Sequence, residues 1–410
     1  AITKMHGQLV TEVGRYFNGD DGFNDVKNIY EIINNKLHFI NILVNEASNS
    51  TKFFERMNAR GIKVSTGELV RNEIFSRVAA NDPAEADELF ENHWLPFYEK
   101  FKETRGTSAD VFDHFLFIIT LIKDPSQNKS SVFEYLRAEW KGKTPIQIID
   151  DMKKYQGIYI QLRRNEDNKV HDNFIKVSKD LYVMIDRYVR ADSPTTTLPF
   201  FVNLLYHYKE EELDKIEVKK IFASVESYLV RRGVLGIEPT GLHAIFKDLW
   251  NRMDKKTAET AEKIIRDTKT MVWPSDDEFN DKLNNRELYG VGVTKYILEE
   301  YELSLKGDYD RGDFDIEHIM PQTRNNQWDY IDQEDHAKYL HLIGNLLPIT
   351  PIMNKSIKNF GFDHKRKRYK EDSKFKSTRQ LGEDYEKWGI EEIKVRQKKI
   401  IQWAKKRWPI

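Results

Sequence analysis

The chain has 410 residues, of which 40% are hydrophobic and 32% charged, a balance typical of soluble globular proteins. It contains no cysteine, which excludes disulfides, thiolate metal sites and cysteine nucleophiles, so a metal would bind nitrogen or oxygen ligands. The composition is compatible with a reducing cytoplasm, where we expect the protein to act. No apolar stretch reaches the roughly 20 residues that a bilayer-spanning helix needs, so we predict no membrane span.

The formal net charge of -1 conceals a basic C-terminal segment. Residues 355–410 contain 18 Lys or Arg and 8 Asp or Glu, whereas residues 1–354 contain 47 and 58. This segment is therefore where a polyanion would bind. A solvated helix face is the commoner reason for a run of charges, and that reading stays open.

Helical spacing of apolar residues dominates the first 270 residues, which we predict to be almost wholly helical. Two helix starts carry the capping-box pattern, in which each of two polar side chains satisfies a free backbone N–H of the other residue. They are Ser65 with Glu68 and Ser275 with Glu278.

Turn-forming clusters at 81–83 and 273–275 indicate boundaries along the chain. We predict an N-terminal part over residues 1–82, a helical middle domain over 83–272 and a C-terminal domain over 273–410.

The pattern changes in the last third of the chain. A helix is predicted for about 294–303, a short strand for 314–320 and a second strand for 340–349. A helical stretch then opens at Asn354. The predicted fold class is mainly α, with a C-terminal order of strand, loop, strand and helix that a ββα-metal nuclease core requires.

Polar residues in this region suit the hydrolysis of a phosphodiester, which needs a base for water and a cation for the developing charge. His318 is the candidate base, because a neutral imidazole titrates near working pH. Glu317 and Asn354 offer the hard oxygens that Mg²⁺ or Mn²⁺ prefers, and Asn345 would hold the imidazole by a hydrogen bond. Neighbours in a regular strand face opposite sides, so Asp315 is a reserve ligand should Glu317 and His318 point apart.

The same residues carry a family resemblance. Residues 313–322, Asp-Phe-Asp-Ile-Glu-His-Ile-Met-Pro-Gln, resemble the first strand of HNH (His-Me finger) nucleases, including the HNH domain of CRISPR effector nucleases. More closely, they resemble the C-terminal nuclease domain of GmrSD-type modification-dependent restriction proteins. That pattern continues in 341–347, His-Leu-Ile-Gly-Asn-Leu-Leu, then in Asn354-Lys355 and Trp388.

The resemblance covers about residues 285–410 and implies a role for each matching position. It implies His318 as general base, Glu317 and Asn354 as metal ligands, and Asn345 as the residue that orients the base. A run of basic residues follows within the same region and is the best candidate for phosphate contacts. The candidate DNA-binding residues are Lys355, Lys358, Lys365, Arg366, Lys367 and Arg368.

A weaker resemblance lies near the N-terminus. Residues 54–69, which include Asn58, Arg60 and Gly61, resemble the end of the family's ParB-like N-terminal domain. That domain is associated with nucleotide binding through an upstream Asp-Gly-Gln-Gln-Arg motif. The motif is absent from this sequence, so we expect no nucleotide hydrolysis by this chain alone. A plain helix C-cap explains 58–61 equally well.

The leading hypothesis is a metal-dependent DNA endonuclease or nickase of a prokaryotic restriction or anti-phage defence system that responds to DNA modification. Its expected cofactor is Mg²⁺ or Mn²⁺, and its expected partners are DNA and an upstream segment or other defence proteins, since the chain lacks an initiator Met. Two alternatives stay open: a non-cutting, nucleic-acid-binding regulatory module and an RNA-cleaving toxin.

Overall fold

Helices account for most of the described residues, which confirms the mainly α fold class. The computed structural model describes residues 64–78, 83–164, 178–268, 271–306 and 314–410, and before these only residues 30, 31 and 35. The N-terminal motif of Asn58, Arg60 and Gly61 lies outside the described residues. Among the helices of the described ranges, none is long and apolar enough to cross a membrane.

The first group of helices ends at residue 267. It comprises α1 (Thr66–Ser76), α2 (Pro83–Leu89), α3 (Leu95–Glu99), α4 (Ser108–Lys123), α5 (Val132–Glu139), α6 (Pro145–Leu162), α7 (Lys179–Arg190), α8 (Leu198–Lys209), α9 (Lys215–Leu235), α10 (Leu242–Phe246), α11 (Leu249–Arg252) and α12 (Ala258–Asp267). A π-helical turn, Phe90–Trp94, joins α2 to α3, and short 3-10 turns lie at Lys100–Glu103 and Thr195–Thr197.

The second group contains the sheet. It comprises α13 (Asp276–Asn285), α14 (Gly292–Ser304), β1 (Asp315–His318), α15 (Gln333–Tyr339), β2 (Leu346–Ile349), α16 (Pro351–Ile357), α17 (Phe362–Asp372), α18 (Lys376–Asp384) and α19 (Ile390–Arg407). Short 3-10 turns lie at Asn326–Trp328 and Ile343–Asn345.

Both predicted capping boxes are present. Ser65 Oγ accepts from the backbone N–H of Glu68 at 3.2 Å, and the Glu68 carboxylate accepts from the N–H of Ser65 at 2.9 Å. Ser275 and Glu278 repeat the arrangement at 3.2 and 2.8 Å. Each pair satisfies two backbone donors that a helix start otherwise leaves free, so α1 and α13 begin where the sequence indicates.

Helix α1 packs closely on α4. The N–H of Gly67 donates to Asp113 Oδ1 at 2.6 Å, and a Cβ at Gly67 would lie 2.6 Å from the Phe112 ring, so only glycine fits there without a shift. Helix α1 consequently shares an apolar core with the helices that follow it, from Val70 to Trp273. The domain boundary at residue 82 stays a prediction.

The two strands pair antiparallel, with Asp315 opposite Ile349 and His318 opposite Leu346. The first strand falls inside the predicted range. The second prediction was too long, because only the last four of residues 340–349 are extended. The preceding residues form a turn that Asn345 closes by donating from Nδ2 to the carbonyl of Leu340 at 2.9 Å.

The helix after β2 begins three residues before the predicted Asn354. Thr350 caps it by accepting from the N–H of Met353 at 3.3 Å, and Pro351 stands in the first turn, where its missing N–H costs nothing. The two strands and the helix therefore follow in the predicted order. The metal of the ββα-metal assignment stays a prediction.

Two further apolar cores form around the sheet. Ile316 and Leu346 belong to one, while Leu347 and Ile349 belong to the other, as the alternation of side chains along a strand requires. Helix α9 links the first of these to the upstream helices, because Val230 lies in it while earlier residues of α9 lie in the upstream core. Helix α9 therefore packs against residues on both sides of the predicted boundary at residue 272, which stays a prediction.

A buried carboxylate reinforces that link. Glu226 of α9 accepts at Oε1 from Tyr296 Oη at 2.5 Å, from Arg407 Nη2 at 2.6 Å and from Trp408 Nε1 at 3.1 Å. These donors come from α14 and from the end of α19. The C-terminal helices are therefore held to α9 by charge-assisted hydrogen bonds as well as by apolar contact.

Candidate active site

Strand β1 directs its polar side chains to two sides of the sheet. The strand is regular, so Asp315 and Glu317 face one way and His318 faces the other. The sequence left two arrangements open, and the structure has the one in which Glu317 and His318 point apart. The base and the first predicted metal ligand therefore have different surroundings.

Glu317 lies in an ion pair beneath the strand. Its Oε1 accepts from Lys365 Nζ at 2.5 Å and from Tyr369 Oη at 3.5 Å. Burial raises the pKa of Glu317 and lowers the pKa of Lys365, and the ion pair opposes both shifts. A metal at Glu317 would have to compete with a cation that the protein already supplies.

Lys365 also fixes the backbone at the end of β1. Its Nζ donates to the carbonyls of His318 at 2.9 Å and Ile319 at 3.1 Å, and its side chain is completely buried. The three donors of the ammonium group are thereby used. Lys365 was predicted to contact DNA; its burial removes it from the surface that DNA could reach.

His318 lies at the end of β1 between two polar partners. Its Nε2 is 3.0 Å from His341 Nδ1, and its Nδ1 is 3.3 Å from Gln322 Nε2. The ring of Tyr289 covers the pair, with its centroid 4.2 Å from that of His318. Burial, aided by His341 and Lys365, lowers the pKa of His318 to about 3. The imidazole is therefore neutral at physiological pH, the form that accepts a proton.

Asn345 acts on the backbone and not on the imidazole. It was predicted to hold His318, but its Oδ1 accepts from the N–H of Met320 at 2.8 Å and from Trp388 Nε1 at 3.2 Å. Its Nδ2 donates to the carbonyls of Met320 and Leu340 at 3.0 and 2.9 Å. Asn345 is fully buried and joins the turn after β1 to the start of β2, which places His318 indirectly.

Tyr289 was not predicted as a site residue, and for His341, which flanks the predicted site, a surface or packing role was the favoured prediction. His341 stands four residues before Asn345 in the motif that carried the resemblance, and that position was the available signal. A backbone hydrogen bond links His341 to the residue before Tyr289, because the N–H of Leu288 donates to the carbonyl of His341 at 2.8 Å. Nothing in the sequence around Tyr289 distinguishes it from other tyrosines.

Asp315 and Asn354 form the second polar pair. Asn354 Nδ2 donates to Asp315 Oδ2 at 2.9 Å, and both side chains are partly exposed. One carboxylate and one amide oxygen are hard donors, which suits Mg²⁺ because that ion keeps several waters and takes few protein ligands. Among the described residues no three His, Asp or Glu side chains form a metal-binding group. Asp315 and Asn354 thus offer two of the donors that a divalent cation takes, and Asp315 is partly exposed whereas Glu317 is buried.

The predicted basic residues have unequal access to solvent. Lys355, Lys358 and Lys367 are exposed, on or just after α16 and on α17. Arg366 is half-buried and donates from Nε to the carbonyl of Gly382 at 2.9 Å, and Arg368 pairs with Asp372 at 2.7 Å. Of the six predicted residues, the three lysines are therefore the ones most accessible to a polyanion.

The comparisons bear on this same region. Residues 273–403 match the family model described as GmrSD restriction endonucleases, C-terminal domain. None of the curated proteins matches the chain. The family predicted from the motifs is thereby confirmed for the C-terminal part: residues 273–403 are similar to the C-terminal domain of GmrSD restriction endonucleases, and all the candidate residues from Asp315 to Arg368 lie within this range.

Proposed function

We propose that this chain is a metal-dependent DNA endonuclease or nickase of a prokaryotic restriction or anti-phage defence system, acting in response to DNA modification. One observation carries the proposal: a neutral, buried His318 held by polar partners at the end of β1, in a domain of the restriction endonuclease family. The HNH-type assignment rests on this histidine together with the Asp315 and Asn354 pair.

His318 accepts the proton of the attacking water in this mechanism. Its ring lies at the end of β1, where polar partners flank both nitrogens: Gln322 Nε2 is 3.3 Å from Nδ1 and His341 Nδ1 is 3.0 Å from Nε2. Lys365 and Asn345 form hydrogen bonds with the backbone of residues 318–320. These bonds hold the main chain from which the imidazole of His318 extends. Rigid placement of a base lowers the entropic cost of bringing it to the water.

Asp315 and Asn354 would hold the divalent cation. When bound, Mg²⁺ or Mn²⁺ supplies positive charge for the phosphate and the leaving oxygen. Asn354 donates to Asp315 through Nδ2, and its amide oxygen would be the second ligand. Glu317 is assigned a different task, the neutralisation of Lys365 beneath the strand.

DNA would lie along the exposed lysines that follow β2. Lys355, Lys358 and Lys367 are the exposed members of the predicted basic set. Contacts of this kind attract the phosphate backbone without reading sequence.

Nicking of supercoiled plasmid tests the proposal. We expect the 410-residue chain to convert plasmid to nicked or linear DNA in Mg²⁺ or Mn²⁺ and to stop in EDTA. His318→Ala should lower the rate by about 10²- to 10⁴-fold, the usual cost of a lost general base. His207→Ala, a change on α8, is the matched control and should cut like wild type.

The outcomes separate the alternatives. DNA binding without cutting by the wild-type chain would favour a regulatory module, and cutting of RNA but not plasmid would favour a toxin. Plasmid with and without base modification, compared side by side, tests the response to modification. We also expect no turnover of GTP or ATP by this chain alone.

A further inference from the structure

We infer that His341 is a positioning residue that fixes the tautomer of His318, leaving the lone pair of His318 on Nδ1, where Gln322 now lies. This inference rests on the proposed function, because it assigns His341 a task in the same site. It gives His341 the orienting role that the sequence had given to Asn345.

The two imidazoles form a closely restrained pair. Their centroids are 5.1 Å apart at an interplanar angle of 73°, and the nitrogen–nitrogen distance is 3.0 Å. The Tyr289 ring lies against both, nearly parallel to His341 at 17° and 5.6 Å. Movement of either imidazole would therefore disturb a packed aromatic group as well as a hydrogen bond.

Hydrogen-bond chemistry selects one tautomer. A neutral imidazole has one N–H and one lone pair. Gln322 Nε2 can only donate, so His318 Nδ1 at 3.3 Å carries the lone pair. The proton of His318 is then on Nε2 and is donated to His341 Nδ1 at 3.0 Å. His341 in turn carries its own proton on Nε2.

This arrangement prepares His318 for catalysis. The bond from Gln322 is long, so an attacking water can replace it at Nδ1 at small cost. After proton transfer His318 is an imidazolium whose Nε2–H still donates to His341. That bond keeps the ring in the orientation that it has before proton transfer. His341 thus acts through His318 and needs no contact with the DNA.

Three variants test the role of His341. His341→Phe keeps an aromatic ring beside Tyr289 but removes the acceptor. His341→Asn places an amide oxygen near the position of Nδ1 and should restore the hydrogen bond. His207→Phe on α8 is the control for a change of the same kind elsewhere.

The spectroscopic readout is the nitrogen NMR spectrum of ¹⁵N-histidine-labelled full chain, with His318→Ala to assign the signals. We expect the Nε2–H tautomer of His318 in wild type and in His341→Asn, and a mixture of tautomers in His341→Phe. An Nδ1–H tautomer in the wild-type chain would overturn the inference.

The kinetic readout is plasmid nicking under saturating Mg²⁺. His341→Phe should lower kcat by about 10- to 100-fold, the usual range for residues that orient a catalytic ligand, with KM little changed. His341→Asn should recover most of the loss. Equal kcat in wild type and His341→Phe refutes the role of His341 while leaving the nuclease proposal intact. A wild-type chain with the expected tautomer but no nicking refutes the nuclease proposal, and the catalytic role of His341 with it.

Discussion

Lys365 and Glu317 form an ion pair that is buried beneath the strand carrying the candidate base. The Lys365 side chain has no exposure and that of Glu317 has 8%, and their charged atoms are 2.5 Å apart. Because the same ammonium group bonds the carbonyls of His318 and Ile319, the pair ties α17 to the end of β1. Lys365, which the sequence predicted to lie on a basic surface, therefore supports the backbone of the site from within.

Removing one member of this pair should destabilise the fold. Lys365→Met leaves an unpaired carboxylate in a buried place and should cost about 3–5 kcal/mol in the free energy of unfolding, measured with urea. Lys367→Met, an exposed change on the same helix, should alter it by less than about 0.5 kcal/mol. The double variant Glu317→Gln with Lys365→Met should recover part of the loss, since it leaves no buried charge. Equal effects of the two lysine changes would contradict the assignment.

Glu317 and Asp315 should differ in their effect on metal binding. Asp315→Asn removes a ligand, so the Mg²⁺ concentration for half-maximal nicking should rise at least about tenfold. Glu317→Gln should reduce stability through the unpaired Lys365 but leave that concentration within about twofold when the variant is folded.

Binding of Mn²⁺, followed by electron paramagnetic resonance, separates affinity from activity in the same variants. Asn354→Ala should behave like Asp315→Asn in this measurement. If Glu317→Gln weakens Mn²⁺ binding as strongly as Asp315→Asn does, the cation belongs to Glu317.

Local patterns predicted local structure well in this chain. The capping boxes at Ser65 and Ser275 depend on residues three positions apart, and both are present. The alternation of Asp315, Glu317 and His318 follows from strand geometry alone, which is why the sequence could name Asp315 as the reserve ligand.

Long-range partners could not be read from the sequence. The partner of Glu317 is 48 residues away and that of His318 is 23 residues away, and no periodicity links them. A Lys within a basic run looks exposed until the fold places it against a carboxylate. The amide of Asn345 could likewise bond either an imidazole or the backbone. Its backbone bonds depend on the turn that it closes, which the sequence does not specify.

The salt dependence of DNA binding should be carried by three lysines. Replacing Lys355, Lys358 and Lys367 together by Ala should reduce the magnitude of the slope of log K against log salt concentration by up to about 2.7, because each phosphate contact contributes about 0.9 to that slope. The measurement is fluorescence anisotropy with a labelled duplex at several salt concentrations. Lys153, Lys154 and Lys220 on α6 and α9 form a charge-matched control triple. A flatter slope for that triple, with no change for the first, would move the DNA path to the upstream helices.

The stability of the upstream helices should depend on pH through His114. This side chain is mostly buried on α4, and its Nδ1 is 2.8 Å from Tyr159 Oη. Burial, followed by the charges of Arg163 and Lys129, lowers the pKa of His114 from 6.5 to about 4. Protonation would place a charge among apolar helices, so the folded state resists it.

The lowered pKa of His114 sets the pH window of the effect. Between pH 6.5 and about pH 4 the unfolded chain binds a proton that the folded chain does not, so stability falls as the pH is lowered through that range. The full loss from this group is about 3 kcal/mol. His114→Asn keeps a donor near Tyr159 but cannot titrate, and its urea unfolding free energy should fall by about 3 kcal/mol less than that of wild type between pH 7.5 and pH 4. His364→Asn, an exposed change on α17, should follow the wild-type curve. Parallel curves for wild type and His114→Asn would show that another group is responsible for the loss of stability in acid.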